Sequence, residues 1–355
     1  MKFDFGVFIG RFQPFHVGHL HNIKTALKQA ERMIIAVGSS FRAPSMKNPF
    51  SFESRRQMII EDLSCCGVDI KRIDIVPIAD WFYHEAGWID EVKARVYEIA
   101  TCDDSIAIVG HQKDASSYYL QSFPDWQHID VTNFNGFNAT GFRNRYFGHG
   151  EIPLDFMVAT NEILGSYGFL KAFMKTETYA DLCEEYLSIS EYKKAWSVAP
   201  YAPVFVTTDA MLIVNDHLLL VKRRYHPGKN LWAFPGGFLD HDERIVDGVI
   251  RELYEETRID IKPDFLLSKL KFIKAFDYPE RSLRGRTITH LGVFSWQAET
   301  LPCIRGDDDA MMAKWWPLDQ VMAEFSDQLM DDHYQIIKYV MTLISKNTDY
   351  LSIQI

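Results

Sequence analysis

The chain has 355 residues, of which 47% are hydrophobic and 24% charged. This composition is typical of a packed globular protein, and the length favours two domains. The formal net charge of -10 disfavours binding to a nucleic-acid backbone, and no apolar run approaches the roughly 18 residues that would cross a membrane. The scattered cysteines suit a reducing compartment, so we expect a cytoplasmic protein.

The first half alternates short apolar segments with amphipathic ones. Strands are predicted at 5–9, 33–37, 73–78 and 106–109, and helices at 19–30, 53–63 and 89–100. Such alternation predicts an α/β fold with a doubly wound parallel sheet, Rossmann-like in type. Ligands of these sheets bind where the strands end, so the loops that follow the strands are expected to carry the chemistry.

The second half is β-rich and follows a predicted connector at 176–202, a helix and then a linker that closes near Pro200. We place the first domain at 1–175 and the second at 203–350. In the second domain a single acidic helix near 243–257 is expected to interrupt the strands, and a final helix near 333–346 to pack on them. The predicted strands are 204–214, 218–223, 272–276 and 290–296.

The segment GRFQPFHVGH, from Gly10 to His19, leaves the first predicted strand and enters a helix. Gly10 allows close backbone approach, and the amides at the helix start face an anion. His16 and His19 lie three residues apart, so both can face one phosphate and stabilise its charge. An HxxH pair alone is common by chance, but its place after the first strand, with Gly18 before the second histidine, favours a catalytic role.

This segment resembles the signature of the HxGH nucleotidyltransferases, specifically the nicotinamide mononucleotide adenylyltransferases, over roughly residues 1–170. The segment NATGFR at 138–143 resembles a second signature of that family, which usually begins Ile-Ser where this chain has Phe137 and Asn138. The loop at 43–50 resembles the one whose Lys reaches the ATP phosphates, although a solvated charge is the alternative for Lys47. The resemblance implies catalysis by His16, His19 and Arg143, and contacts to ATP by Gly10, Arg11, Phe12, Lys47, Thr140 and Arg143.

Two further segments resemble the parts of the family that hold the nicotinamide nucleotide. They are Asp80-Trp81 together with Trp88, and the run from Gly110 to Asp114. Trp88 suits a flat, cationic pyridinium through cation–π attraction, and a core aromatic is the alternative. The implied reaction is attack by the mononucleotide phosphate on the α-phosphate of ATP, which gives NAD and pyrophosphate with Mg²⁺ accompanying the ATP. The nicotinamide contacts implied are Asp80, Trp81, Trp88, His111 and Asp114.

A second motif begins at Gly237, continues with Glu243 five residues later, and ends with the run RELYEE at 251–256. Glu252, Glu255 and Glu256 share one helix face, where adjacent carboxylates suit Mg²⁺ or Mn²⁺. Arg251 lies four residues before Glu255 and is expected to bond it. A solvated acidic helix face is the alternative, but both fixed gaps match the Nudix box.

The resemblance to the Nudix box implies an α/β/α sandwich, metal binding by the three glutamates and catalysis by Glu255 and Glu256. Arg258 stands where the box usually has Gly, so the sequence does not predict the conformation of the turn at the helix end. The acidic run at 307–309 is a candidate general base, with a solvated loop as the alternative.

The stretch at 276–286 resembles a loop of Nudix proteins that act on ADP-ribose. It implies contacts by Arg281, Arg284 and Arg286, together with Gly236 and Gly237, and hydrolysis to AMP and ribose 5-phosphate. An exposed loop is the alternative. We therefore expect a bifunctional enzyme that uses ATP, nicotinamide mononucleotide, NAD and ADP-ribose, with Mg²⁺ or Mn²⁺ at both sites and without nucleic acid or membrane. The alternatives are a Nudix half that cleaves another nucleoside diphosphate derivative or that senses ADP-ribose, and a homo-oligomer is left open.

Overall fold

The computed structural model of the chain describes residues 2–111, 120–131, 138–159 and 162–346. The chain divides into two compact units, Met1–Tyr186 and Leu187–Ile355. The predicted connector at 176–202 contains a helix that extends past this division, and the predicted domain boundaries stay a prediction. No helix in the described ranges combines the length and the apolar character that a membrane crossing requires.

The first unit is built on a parallel sheet with the strand order β3-β2-β1-β4-β5. The order reverses between β1 and its neighbour β4, so the crevice at the carboxyl ends of these strands is where ligands of such a sheet bind. The strands are β1 (Phe3–Gly10), β2 (Ala30–Val37), β3 (Ile73–Pro77), β4 (Ile106–Gly110) and β5 (Gln127–Asp130), with a small antiparallel pair of β6 (Val158–Ala159) and β7 (Glu162–Ile163). The helices are α1 (Val17–Ala26), α2 (Phe52–Cys65), α3 (Glu85–Tyr97), α4 (Ala139–His149), α5 (Ser166–Phe173) and α6 (Glu177–Trp196).

The core of the first unit lies where the sheet meets α3. Val7 of β1, Ile34 of β2 and Ile108 of β4 are buried with Val92 and Val96 of α3. The two valines lie four residues apart and so share one helix face, while the strand residues point to the same side of the sheet. This packing holds the sheet edge at which the candidate residues lie.

The second unit is a mixed sheet in which β8 and β13 run parallel in a continuous register. Val249 and Leu253, on the helix Ile245–Thr257, pack with Ala210 and Leu212 of β8 and Phe294 of β13. The strands are β8 (Val204–Val214), β9 (His217–Arg223), β10 (Trp232–Ala233), β11 (Gly236–Phe238), β12 (Leu270–Phe276), β13 (Arg286–Trp296) and β14 (Ala310–Pro317). The helices are α7 (Ile245–Thr257), α8 (Pro263–Lys269), α9 (Leu318–Glu324) and α10 (His333–Lys346).

The predicted fold class is confirmed: both units are α/β, and the first is a doubly wound parallel sheet. Some element predictions were wrong. The predicted helix at 19–30 ends at Ala26, because the chain enters β2 at Ala30 and pairs there with β1. The expectation of a single acidic helix between the strands missed α8, which is too short for a periodic pattern to emerge. The short strand β11 was also missed, since pairing with β8 defines it.

Candidate active sites

The loop between β1 and α1 brings His16 and His19 together. Helix α1 begins directly after His16, whose Nδ1 accepts a hydrogen bond from the Gly18 amide at 3.2 Å and caps the helix. The two imidazole rings stack with their centroids 3.7 Å apart. Because Nδ1 of His16 accepts, the neutral ring carries its proton on Nε2, from which it can donate.

Burial keeps both imidazoles neutral at pH 7. His16 is 5% exposed, and burial lowers its pKa to about 4. Burial, and secondarily the neighbouring His16, lower the pKa of His19 well below its ordinary value. Nδ1 of His19 is buried and has no hydrogen-bond partner among the residues that the structure describes. Since a buried polar atom without a partner is costly, this nitrogen is suited to bond an incoming group.

Gly10 ends β1, and the space beside it is filled by the Phe12 ring. A Cβ at Gly10 would lie 2.9 Å from Cζ of Phe12. Phe12 has a φ of 50° and a buried side chain. If Phe12 contacts ATP, the contact is therefore made by its backbone. The side chain of Arg11, between these two residues, is exposed.

Arg143 joins α4 to the loop that carries the histidines. It is buried, and its Nη1 donates to the Gln13 carbonyl at 2.9 Å while Nη2 donates to Oγ1 of Thr140 at 3.2 Å. Asn138 caps α4, because its Oδ1 accepts a hydrogen bond from the Gly141 amide at 2.9 Å. The departure from the usual Ser at this position therefore leaves a capped turn; Phe137 lies outside the described residues.

Lys47 is half-buried in a loop that two buried side chains hold. The Gln13 side chain bonds the Phe50 backbone in both directions, with Nε2 donating to the carbonyl at 2.9 Å and Oε1 accepting from the amide at 3.0 Å. Oε1 of Glu185 accepts from the Met46 amide at 2.9 Å, one residue before Lys47. The Lys47 loop is thereby fixed to the loop after β1.

Asp80 and Trp81 follow β3 and are tied to neighbouring side chains. Asp80 accepts a hydrogen bond from Oγ of Ser39 at 3.0 Å and pairs with Arg42 at 3.3 Å. The indole N–H of Trp81 donates to the Glu91 carboxylate. Since Ser39 follows β2, these bonds connect the ends of two adjacent strands.

The other residues predicted to hold the nicotinamide nucleotide are more dispersed. Trp88, in α3, is half-buried against the core, and its ring centroid lies 5.8 Å from that of Phe123. Nδ1 of His111, just after β4, lies 3.8 Å from the Asp130 carboxylate. Asp114 is outside the described residues, so only Trp88 and His111 of this group have a place in the structure.

In the second unit, α7 carries the three glutamates around Arg251. Nη1 of Arg251 donates to Oε1 of Glu252 and to Oε2 of Glu255, both at 2.8 Å, and Nη2 donates to Oε1 of Glu243 at 2.6 Å. The Arg251–Glu255 bond that the four-residue spacing predicts is therefore present. The guanidinium offsets part of the negative charge on this face.

Burial raises the pKa of Glu252 to about 7 and that of Glu256 to about 8. Two glycines of β11 let the backbone run against these carboxylates. The Gly236 amide donates to Oε2 of Glu256 at 3.1 Å, and a Cβ at Gly237 would lie 2.5 Å from Oε1 of Glu252. A larger residue at Gly237 would therefore displace a carboxylate.

The donor chemistry of this helix face fits a hard divalent cation. Such ions prefer carboxylate oxygens, and a cation would favour the ionised forms that burial disfavours in Glu252 and Glu256. No three His, Cys, Asp or Glu side chains in the described ranges are arranged to hold a metal ion as they stand. Glu252 and Glu255 each direct an oxygen to Arg251, so a shared ion requires other side-chain rotamers.

Arg258 keeps the turn that Gly usually makes at the end of the Nudix helix. It caps α7 with a φ of 43°, in the left-handed region, and its amide donates to the Tyr254 carbonyl at 2.9 Å. Its Nε donates to Oδ2 of Asp307 at 2.9 Å, and this bond lowers the pKa of Asp307. A carboxylate with a lowered pKa accepts a proton less readily, so the structure disfavours Asp307 as a general base.

The three arginines of the predicted ADP-ribose loop have different partners. Arg281 is buried, and its Nη2 lies 2.9 Å from Oδ1 of Asp332, which is also fully buried. Arg286 donates to the Asp277 carbonyl. Both arginines are thus bonded to other parts of the second unit.

Arg284 lies against Phe238 of β11 instead. Its guanidinium carbon is 4.9 Å from the ring centroid of Phe238, the residue after Gly237. Its Nε is buried without a hydrogen-bond partner in the described part of the chain, and burial lowers its pKa. Of the three arginines, Arg284 is therefore best suited to bind an anionic ligand.

Three buried residues that hold the first site were missing from the sequence-based assignment: Gln13, Arg55 and Glu185. Gln13 stands inside the GRFQPFHVGH motif, so its position was a usable signal. Arg55 and Glu185 lie on helices, where a charged residue is usually solvated. Their burial depends on contacts with distant loops.

Both halves of the chain match known families. Residues 7–163 match the cytidylyltransferase-like family and residues 204–340 the NUDIX domain family. A nicotinamide/nicotinic acid mononucleotide adenylyltransferase of Acinetobacter baylyi is 39% identical over 186 residues, which cover 52% of this chain and 94% of that protein. The crystal structure of a bifunctional NMN adenylyltransferase/ADP ribose pyrophosphatase from Francisella tularensis has a TM-score of 0.92 and 50% identity, covering 96% of this chain and 99% of that one. A second structure of a bifunctional NMN adenylyltransferase/ADP ribose pyrophosphatase from that organism, complexed with AMP and a Mn ion, has a TM-score of 0.92 and 49% identity, with the same coverage.

Proposed function

The chain belongs to the family of bifunctional NMN adenylyltransferase/ADP-ribose pyrophosphatases, and we propose from this membership that it both makes NAD and hydrolyses ADP-ribose. The observation that carries the first activity is the stacked pair of His16 and His19 at the start of α1. The observation that carries the second is the set of glutamates of α7 beside the glycines of β11.

In the first reaction, a phosphate oxygen of nicotinamide mononucleotide attacks the α-phosphorus of ATP, and the bond to pyrophosphate breaks. The proposed role of His16 and His19 is to donate hydrogen bonds to the phosphate oxygens as charge develops on them. Arg143 of α4 adds a positive charge beside this loop, to which its bond with the Gln13 carbonyl ties it. Lys47 and Arg11 are proposed to contact the remaining phosphates, and Mg²⁺, with Mn²⁺ as the alternative, enters with ATP.

The nicotinamide end is assigned to Asp80, Trp81, Trp88 and His111. Asp80 and Trp81 are supported by their place after β3, at the carboxyl edge of the sheet. Trp88 retains its proposed role of stacking on the pyridinium, although the Phe123 contact also gives it a place in the core. Asp114 completes the proposed set.

In the second reaction, Glu252, Glu255 and Glu256 would hold the divalent cation, which we propose to be Mg²⁺. When bound, such an ion neutralises phosphate charge and activates water. Arg284 is proposed to contact the pyrophosphate of ADP-ribose, because its guanidinium lies next to Phe238 and its Nε has no hydrogen-bond partner among the described residues. Water then attacks one phosphorus, the bridging P–O bond breaks, and AMP and ribose 5-phosphate leave.

The proposal is tested by a substrate panel on the purified full-length chain with Mg²⁺ or Mn²⁺. We expect NAD from ATP and nicotinamide mononucleotide, and AMP from ADP-ribose in preference to NADH or nucleotide sugars. Absence of NAD would refute the first activity. Release of AMP from another diphosphate alone would change the second substrate, and binding of ADP-ribose without cleavage would make the second unit a sensor. The cytoplasmic location and any homo-oligomer stay predictions.

A further inference from the structure

Arg55 of α2 is a fully buried guanidinium beneath the first site, with 0% exposure. Within the described ranges, all of its hydrogen bonds go to backbone carbonyls. Nη1 reaches the carbonyls of Arg11 and Gly38, both at 2.7 Å, Nη2 reaches that of Ser39 at 3.2 Å, and Nε reaches that of Ser51 at 3.2 Å. One side chain therefore joins the loop after β1 to the loop after β2.

The charge of Arg55 has no carboxylate bonded to it in the part of the chain that the structure describes. Buried charges are normally paired, because removing an ion from water is expensive. Burial lowers the pKa of Arg55 to about 10, an effect that Asp80 and Glu53 offset only in part. Asp80 is already paired with Arg42 at 3.3 Å, and Glu53 is exposed.

The carboxyl ends of β1 and β2 therefore carry a local surplus of positive charge. Arg11, Arg42 and Arg55 lie there, and in the described ranges the acids beside them are the mostly buried Asp80 and Glu91, which accepts hydrogen bonds from Ala79 and Trp81. This surplus contrasts with the formal charge of -10 of the whole chain. Because ligands of a doubly wound sheet bind at this edge, the expected counter-charge is an anionic ligand, and a polyphosphate supplies several negative charges at once.

We propose that Arg55 is a positioning residue of the adenylyl-transfer site, and that the polyphosphate of the nucleotide balances its charge. This inference rests on the proposed adenylyl transfer. Arg55 is inaccessible, so it acts through the Arg11 and Gly38 backbone that it holds and through its electric field. Its bonds fix the separation of the two loops, while its charge strengthens polyphosphate binding.

A solely structural role would depend on the bonds and not on the charge, so two substitutions separate the roles. Arg55→Lys keeps the charge but cannot reproduce the planar fork that reaches four carbonyls. Arg55→Gln removes the charge and keeps some hydrogen bonding. Arg56→Gln is the matched control, because Arg56 is the exposed neighbour on the same helix and its loss changes the net charge equally.

The test uses the full-length chain and inorganic pyrophosphate as the probe, with binding measured by calorimetry and folding by thermal melting. We expect Arg55→Gln to weaken pyrophosphate binding and raise the KM for ATP about tenfold or more, the scale of one charged contact. Arg55→Lys should stay within about threefold of the unsubstituted chain in pyrophosphate affinity but lose kcat, because the loops are held less firmly. Arg56→Gln should change neither.

Equal losses of pyrophosphate affinity in Arg55→Lys and Arg55→Gln, or none in either, would overturn the inference. If Arg55→Gln does not fold, Arg55→Lys decides alone, since loss of its pyrophosphate binding would show that charge is not what matters. An unsubstituted chain that forms no NAD would instead refute the proposed function. An active chain in which Arg55→Gln behaves like Arg56→Gln would refute only the role of Arg55.

Discussion

The two candidate sites carry charge surpluses of opposite sign. At the first, Arg11, Arg42 and Arg55 outnumber the acids Asp80 and Glu91 among the described residues. At the second, the three glutamates of α7 outnumber Arg251, which bonds Glu252 and Glu255. Each surplus has the sign that its proposed ligand neutralises, a polyphosphate in one case and a divalent cation in the other. The comparison indicates that a site whose charges do not balance binds a ligand of the opposite sign, while a buried charge balanced by one ion pair serves the fold.

Substitution of the two arginines of one loop tests that rule with the largest expected effect. Arg281→Ala breaks the buried ion pair with Asp332, so the free energy of unfolding should fall by about 3–5 kcal/mol. Arg284→Ala removes the contact over Phe238, worth about 1 kcal/mol, and an electrostatic attraction to Asp331. It should destabilise the chain less than Arg281→Ala does but raise the KM for ADP-ribose about tenfold. Thermal melts and initial rates check both. Equal destabilisation by the two substitutions would break the distinction.

Asp62 is a buried carboxylate that lies outside both sites. It shows that a raised pKa by itself does not identify a ligand-binding residue. Asp62 of α2 accepts hydrogen bonds from the amide and the hydroxyl of Ser166 at 2.7 and 2.8 Å, and burial raises its pKa to about 7. The folded chain therefore binds a proton more tightly than the unfolded chain. This contribution to stability is present at low pH and is lost as the pH rises towards 7.

We expect Asp62→Asn to gain about 2–3 kcal/mol of stability relative to the unsubstituted chain between pH 5 and pH 8, since each pKa unit is worth about 1.4 kcal/mol. Denaturant unfolding at the two pH values measures the difference. The exposed Asp103 provides the control, and Asp103→Asn should show no such trend. A pH-independent difference for Asp62→Asn would contradict the assignment.

The smallest expected effect concerns the turn after α7. Arg258→Gly relieves a left-handed backbone, worth about 1 kcal/mol, but removes the exposed ion pair with Asp307, which solvent screening makes weak. The unfolding free energy should therefore change by less than about 1 kcal/mol, and ADP-ribose hydrolysis by less than about twofold. A large loss of hydrolysis would give Arg258 or Asp307 a role in the second site.

The two motifs could be identified from the sequence because their chemistry requires particular residues at a fixed spacing. His16 and His19 could be paired from their separation alone, and the Arg251–Glu255 bond followed from helix periodicity. Both depend on local geometry. Four of the five strands of the first sheet could also be predicted, since apolar runs such as that of β4 are buried throughout, whereas β5 was missed because only one of its residues is buried.

Contacts between distant segments could not be predicted from the sequence. Arg55 and Glu185 resemble solvated helix charges until the Gly38 and Met46 backbones are placed against them. The three-residue strand β11 depends on pairing with β8. The difference between Arg281 and Arg284 depends on Asp332, 51 residues after Arg281. Spacing predicts which residues share a local element, and tertiary packing decides which charges have partners.

The most direct test of two separate sites measures both products in two variants. His19→Ala should lower NAD formation at least about 100-fold and leave AMP release from ADP-ribose within about twofold. Glu256→Gln, which can still accept the Gly236 hydrogen bond, should lower AMP release at least about 100-fold and leave NAD formation within about twofold. That crossed pattern is the expected result. A variant that loses both activities while its thermal melt is unchanged would contradict the assignment of one reaction to each site.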